Sequence, residues 1–525
     1  MYTERSEKYP GWVLWGIFIV AFLFRLKDFG FLIPYYIHPD ERPLVEVSLN
    51  IIKYHDLNPH FFKYASFPYY WVAGLYYVLL GVLRPFLGGG LTFQEFINGL
   101  HLDSLNFLLF YLGRATSIGF GLGGIFLTYV MGRDIFKREV GLWAAFFLAI
   151  SPIHVLFSHM FKGDISLLFW VLLSFYFSWK IINDNKMKYY LFAAVCAGLC
   201  LATKYNFIPL VTLAGAAMFK QGVRGLIRPR FIISLYFGAL IFFLCCPYCF
   251  LDFVTLKEDL LTEMKEQKYT VLINTLGSGP LIFNRYIFQL LFVFPLHFGP
   301  FIYLAGLWGG IDYLKENRKR AMLFLSFPVT YFIFSGMVSR QVIAHYDMLY
   351  FPFLFLLAAN LFYQMLAESR KGFKKIGQIL LILTMVVSLS DLYLSFSHVY
   401  FNFYEGVGSW ISSNIPRDKV VVNYSGINPA GRLNFLLPYH VRRIDSAKIL
   451  EIKRLKPDYF VIEQGFFLVG RKKGRQLLDL IGSDFGKDYR EIKNFSLPGW
   501  IENVIIRTKL GLNPIKVFVY QRKNE

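Results

Sequence analysis

The chain has 525 residues, of which 55% are hydrophobic, 19% aromatic and only 17% charged. That composition excludes an ordinary water-soluble domain. The formal charge of +20 would suggest nucleic acid in a soluble protein, but much of it falls in short loops between apolar segments, where Lys and Arg fix membrane orientation, so nucleic acid is not an expected partner.

In chain order, MYTERSEKYP followed by GWVLWGIFIVAFLF lacks a small-residue cleavage pattern and reads as an uncleaved first span. Charged residues are costly at a bilayer centre, and stretches of about 20 residues that avoid them recur up to Phe396. Full spans are expected at 11–26, 107–131, 139–158, 164–182, 188–203, 205–219, 230–247, 286–311, 321–337, 343–366 and 376–397. The loops GRDIFKRE, NDNKMK, KQGVRGLIRPR, LKENRKR and ESRKGFKK are the basic connections and belong on the cytoplasmic side. That assignment requires the apolar stretch 67–87 to be re-entrant or to lie along the outer surface, and it puts 28–66, 159–163, residue 204, 248–285, 338–342 and everything after 398 outside. Residues 401–525 carry 21 Lys and Arg against 12 Asp and Glu, which an external position tolerates because long domains escape the charge rule. There DKVVVNY, PDYFVIE and IKVFVYQ read as short strands and DSAKILEIKRLK as a helix, giving a small α/β unit.

Chemistry concentrates in the expected outer segments. His38-Pro39-Asp40-Glu41 places adjacent carboxylates just beyond the first span, where they suit proton abstraction from a hydroxyl or a divalent cation beside a phosphate; they equally suit capping of a helix starting near Arg42. His159, Lys162 and Asp164 lie in the next outer turn, where Asp164 is either a cap or a partner of Asp40. Lys63, Tyr64, Arg114, Lys204, Arg285, Arg340 and His345 collect on the same face. They form a cradle for an anionic lipid phosphate or serve as interfacial anchors. Five cysteines, three of them in CCPYC at 245–249, read as buried packing in preference to a metal or redox site.

The ordered series HPDE, NPHFFKYASFPYY, GRATSIGFGLGGIFLTYVMGRDIF, LWAAFFLAISPIHVLFSHMFKGD, LATKYN and HYDMLYFPFLFLLAA resembles the GT-C class of integral membrane glycosyltransferases. It is particularly similar to the family 39 group of protein O-mannosyltransferases and lipid A aminoarabinose transferases. The resemblance implies a polytopic α-helical fold of about 11–13 spans over 1–397, with the α/β unit at 398–525. It also implies a polyprenyl-phosphate sugar donor, a lipid, glycan or protein hydroxyl acceptor, inversion at the anomeric carbon, and an extracytoplasmic site in the cell membrane. Carried onto this chain, it makes Asp40 the catalytic carboxylate with Glu41 its partner, and Asp164 the acidic residue of the second outer loop. Arg114 and Lys204 take the phosphate or site wall, while His345-Tyr346 stands where relatives carry an Arg-Tyr pair. No obligatory cofactor is expected, a divalent metal on Asp40, Glu41 and Asp164 being the alternative. The rival functions are a transporter or flippase and a polymerase or ligase for lipid-linked sugars.

Overall fold

The computed structural model describes residues 11–27, 29–30, 40–87, 90–99, 106–269, 285–338, 344–393, 396–416, 418–425, 440–443, 457–466, 487–496 and 513–523. Among the described residues eleven antiparallel passages run between two ends of a helical bundle, and the polar contacts fix their directions. Helix α1 (Trp12–Lys27) rises to what is here termed the upper end. After the upper helices α2 (Glu41–Tyr54), α3 (Phe67–Leu87) and α4 (Phe93–Gly99), helix α5 (Asn106–Ile135) descends. α6 (Arg138–Ile150) and α7 (Pro152–Ser158) return, broken by 62° before Pro152. Proline locks φ and lacks the N–H that would continue the helix, so Pro152 can only begin a new segment. Arg25 secures this break. Fully buried, it donates to the carbonyls of Ala21 at 2.8 Å and Ala149 at 3.1 Å, and lies 2.6 Å from His154 Nδ1.

α8 (Gly163–Asp184) descends and α9 (Met187–Lys204) rises, joined midway by the Ser174 hydroxyl on the Ala193 carbonyl at 2.8 Å. α10 (Pro209–Gln221) and α11 (Pro229–Cys245) repeat the pattern. α9 and α11 cross where Gly198 meets Gly238, and a Cβ on Gly198 would strike the Gly238 carbonyl. Such contacts are how apolar helices gain dispersion energy where lipid supplies no hydrophobic drive. α12 (Tyr248–Leu251) and α13 (Phe253–Tyr269) cover the upper end.

The apolar segment 286–311 is not one span. α14 (Arg285–Phe288), a π-helical turn at 289–293 and α15 (Phe294–Phe298) stay at the upper end, and only α16 (Pro300–Glu316) descends. The pieces meet at 116°, where Gly299 takes φ +88, a conformation that glycine adopts without strain, ahead of Pro300. α17 (Arg318–Val338) rises, α18 (Ala344–Asp347) is a single turn, α19 (Phe351–Ala367) descends and α20 (Lys371–Tyr393) rises. Among the described residues four helices are long and apolar enough to cross a membrane alone, and three bent pairs are so when each is taken as one span. Much of the phenylalanine excess is spent inside the bundle, where Phe175 meets Phe353 edge-on at 4.9 Å and Phe324 at 5.6 Å.

The basic connections gather at the lower end. Lys137 reaches the Tyr363 hydroxyl at 3.3 Å, Arg230 the Asn185 carbonyl at 2.8 Å, and Gln364 the Glu316 carboxylate at 2.9 Å. Helix α3 stays at the upper end, as the charge argument requires. Its Trp71 ring packs on Phe120 and its Tyr76 hydroxyl donates to the Leu109 carbonyl, so it follows only the first half of α5.

The C-terminal part holds α21 (Phe396–Asn414) and a sheet of β1 (Val420–Ser425), β2 (His440–Arg443), β3 (Tyr459–Phe466), β4 (Tyr489–Ser496) and β5 (Asn513–Arg522). The order is β2-β1-β3-β5-β4; β1 runs parallel to β2 and β3, and β5 antiparallel to β3 and β4. The three expected strands are β1, β3 and β5. The expected helix at 445–456 lies outside the described residues. Trp410 of α21 packs edge-on against Phe495 of β4 at 5.8 Å.

Candidate active site

Two carboxylates that sequence leaves open between capping and chemistry are resolved by their partners. Asp40 occupies the N-cap position of α2 but makes no capping hydrogen bond. Its Oδ2 instead lies 2.7 Å from Lys162 Nζ, with a third of the Asp40 side chain still exposed and Lys162 almost wholly buried. Asp164, in the first turn of α8, lies 2.7 Å from Lys204 Nζ, where α9 ends. Lys204 also sits 5.5 Å above the Tyr64 ring and 6.0 Å from that of Tyr346. Such faces attract a cation while leaving its remaining donors free.

A narrow cleft is lined by Asp40, Tyr64, Pro68, Lys162, Gly163 and Lys204. A second cleft shares Pro68, Lys162 and Gly163 and continues between Trp71, Phe120 and Phe161. Lys162 thus stands where a charged cleft becomes an apolar one. Burial alone would lower its pKa, but Asp40, Asp164, the hydrogen bond to Asp40 and the charge of Glu41 outweigh it, and the net shift is upward. Tyr64 is pushed well above its ordinary pKa by burial, reinforced by Asp40, so its hydroxyl stays protonated.

Glu41 is placed differently. Both its oxygens are held by Arg114, Oε1 from Nε at 2.9 Å and Oε2 from Nη2 at 2.8 Å, with both side chains fully buried. The Phe161 amide donates to Glu41 Oε1 at 2.7 Å, and Arg114 Nη1 donates to the Phe29 carbonyl at 3.2 Å. This pair ties α2 to α5 and to the segment carrying Lys162, and neither residue lines the cleft. His159 is buried with Nε2 3.2 Å from the Phe24 carbonyl. Lys63 pairs with Glu263 at 3.9 Å. His38 and Arg340 lie outside the described residues, as do the side chains of Arg285 and His345. Among the described residues no group of three or more His, Cys, Asp or Glu could hold a metal.

Sequence reasoning missed α13 and its carboxylates. Asp252 accepts from Asn58 Nδ2 at 2.9 Å, Asp259 accepts from the Phe62 amide at 2.6 Å, and Glu263 faces Lys63. Their separations of seven and four residues put them on one helical face, a legible signal. Tyr346 is held through its neighbour Asp347, which is buried and accepts from Gln289 at 2.8 Å and pairs with His297 Nδ1 at 2.7 Å.

Residues 113–249 match the family model described as dolichyl-phosphate-mannose-protein mannosyltransferase. No curated protein sequence matches the chain. Among solved structures it is similar to ArnT from Cupriavidus metallidurans bound to undecaprenyl phosphate, with TM-score 0.55 and 13% identity over 97% of this chain and 98% of that one. It is also similar to the archaeal oligosaccharyltransferase AglB from Archaeoglobus fulgidus, solved with an inhibitory peptide and a dolichol-phosphate, with TM-score 0.52 and 12% identity over 98% of this chain and 88% of that one. The chain therefore has the GT-C fold, and its residues 113–249 match the mannosyltransferase family model.

Proposed function

We propose that the chain transfers a sugar from a polyprenyl-phosphate donor to a hydroxyl acceptor on the extracytoplasmic face. The observation that carries this reading is the junction at Lys162. A partly exposed carboxylate and two lysines share one cleft, and a second, aromatic-lined cleft adjoins it at Lys162. The undecaprenyl phosphate and dolichol-phosphate named for the two similar structures support the donor class. The face follows from charge, since the basic connections lie at the opposite end of the bundle.

In the proposed step, Asp40 accepts the proton of the acceptor hydroxyl as its oxygen attacks the anomeric carbon from the side opposite the phosphate. The bond from that carbon to the phosphate oxygen breaks, its electron pair leaves with the polyprenyl phosphate, and Lys162 and Lys204 neutralise the charge that develops. Asp164 orients Lys204, and Tyr64 and Tyr346 restrict where its ammonium can sit. We assign charge stabilisation to the lysines because each of the three candidate carboxylates already faces a cation. Residues 398–525 are proposed as a separate external α/β unit.

The test is release of polyprenyl phosphate when the purified protein is incubated with labelled polyprenyl-phosphate sugars and hydroxyl acceptors. Asp40→Asn should abolish release while melting at the wild-type temperature; undiminished release by that variant would refute the assignment of the base. A wild-type protein that moves the intact donor across vesicles without cleaving it would favour a transporter.

A further inference from the structure

The cysteine cluster at the end of α11 is not absorbed by transfer. Cys246 is fully buried and Cys249 nearly so. The Cys249 amide donates to the Cys246 carbonyl at 3.2 Å, which closes Cys246-Pro247-Tyr248-Cys249 into a turn. A turn so bonded keeps its end Cα atoms within about 7 Å, inside the range a disulfide spans without backbone movement. The Cys246 thiol donates to the Ala202 carbonyl at 3.5 Å. Cys249 Sγ also lies 3.6 Å from the Tyr205 hydroxyl, while the Ser66 amide donates to Cys246 Sγ at 3.2 Å.

We infer that Cys246 and Cys249 form a reversible two-electron thiol–disulfide site, oxidised by small hydroperoxides and reduced by dithiols, on the segment that backs the wall carrying Tyr64 and Lys204. This inference does not depend on the transfer reaction. Cys249 is the attacking sulfur. Its pKa is lowered to about 7 by the neighbouring Cys246 thiol, against the upward push of burial, whereas that of Cys246 is raised. The Cys249 thiolate attacks hydrogen peroxide, breaking the O–O bond to give a sulfenic acid and hydroxide. Cys246 sulfur then displaces the sulfenic oxygen, forming the S–S bond, and the thiol proton leaves with that oxygen as water. Altogether two thiols lose two electrons and one peroxide becomes two waters. A buried pair excludes a protein disulfide but admits an oxidant close to water in size. In the reduced state Tyr205 also donates to the Phe62 carbonyl at 3.1 Å, so the site and the Tyr64 loop share a hydroxyl.

The experiment treats the reduced full-length protein in detergent with a small excess of hydrogen peroxide, then alkylates it with N-ethylmaleimide after denaturation and maps peptides by mass. Two of the five cysteines should escape alkylation, both in the 245–249 peptide, whose mass falls by two hydrogens and is restored by dithiothreitol. Cys246→Ser should stop at a sulfenic acid on Cys249 that dimedone traps. Five alkylated thiols in the peroxide-treated wild type, or a bridge that uses Cys245, would overturn the inference. The decisive readout is on the wild type, so a variant that fails to fold does not obscure it.

Discussion

The buried pair of Glu41 and Arg114 permits a test that separates architecture from chemistry. Glu41→Ala removes a carboxylate that accepts two hydrogen bonds from Arg114 and one from the Phe161 amide, all in a region with no solvent exposure. The guanidinium left behind keeps the Phe29 carbonyl at 3.2 Å but loses its counter-charge. Breaking one side of a buried ion pair costs about 3–5 kcal/mol, which at 1.4 kcal/mol per decade is roughly two to four powers of ten in the folding equilibrium. Glu41→Ala should therefore sharply lower the thermal midpoint and the yield of monodisperse protein, measured by intrinsic fluorescence in detergent. The double variant Glu41→Leu/Arg114→Met, which leaves no orphaned charge, should recover most of that loss, so the two single effects will not add. A Glu41→Ala protein that melts like wild type yet transfers no sugar would refute this reasoning and make Glu41 a member of the reacting group.

Lys162→Met should reduce release of polyprenyl phosphate by about 10²–10³-fold, the usual cost of removing one charge-stabilising donor, and a rate within threefold of wild type would remove Lys162 from the mechanism. Because its folded pKa is raised above the ordinary 10.5, the stability from its partners is fully present below pH 10.5 and is lost only as pH rises through the higher folded value. A pH–stability profile between 7 and 10 should accordingly show no step from this group. Asp347→Ala strands His297 and Gln289, each buried polar group costing about 1–3 kcal/mol, and by releasing Tyr346 should lower kcat/KM; an unchanged kcat/KM would detach Tyr346 from the site. Gly198→Ala forces α9 from α11 and should cost about 1–3 kcal/mol as overpacking, read as a lower thermal midpoint.

The helical membrane architecture was legible because it depends on local composition. Apolar runs of bilayer length mark the helices of the bundle and their order, and α3 follows only the first half of α5. Short apolar runs in the tail marked β1, β3 and β5 for the same reason, whereas β2, only four residues long, carries too little pattern to be found. The fate of 286–311 was hidden because an apolar composition does not reveal a turn; the break needed the backbone of Gly299 and the hold of Asp347 on Gln289 and His297. Sequence brought Asp40, Glu41, Asp164, Arg114, Lys162 and Lys204 to one end of the molecule, since chain parity alone places them there. Only tertiary structure decided that Arg114 is consumed by Glu41, that Lys162 and Lys204 face Asp40 and Asp164, and that Cys246 and Cys249 meet across one turn. Pairing depends on distances of a few ångströms between residues 120 or more positions apart, such as Glu41 and Phe161, and no local pattern encodes such a distance.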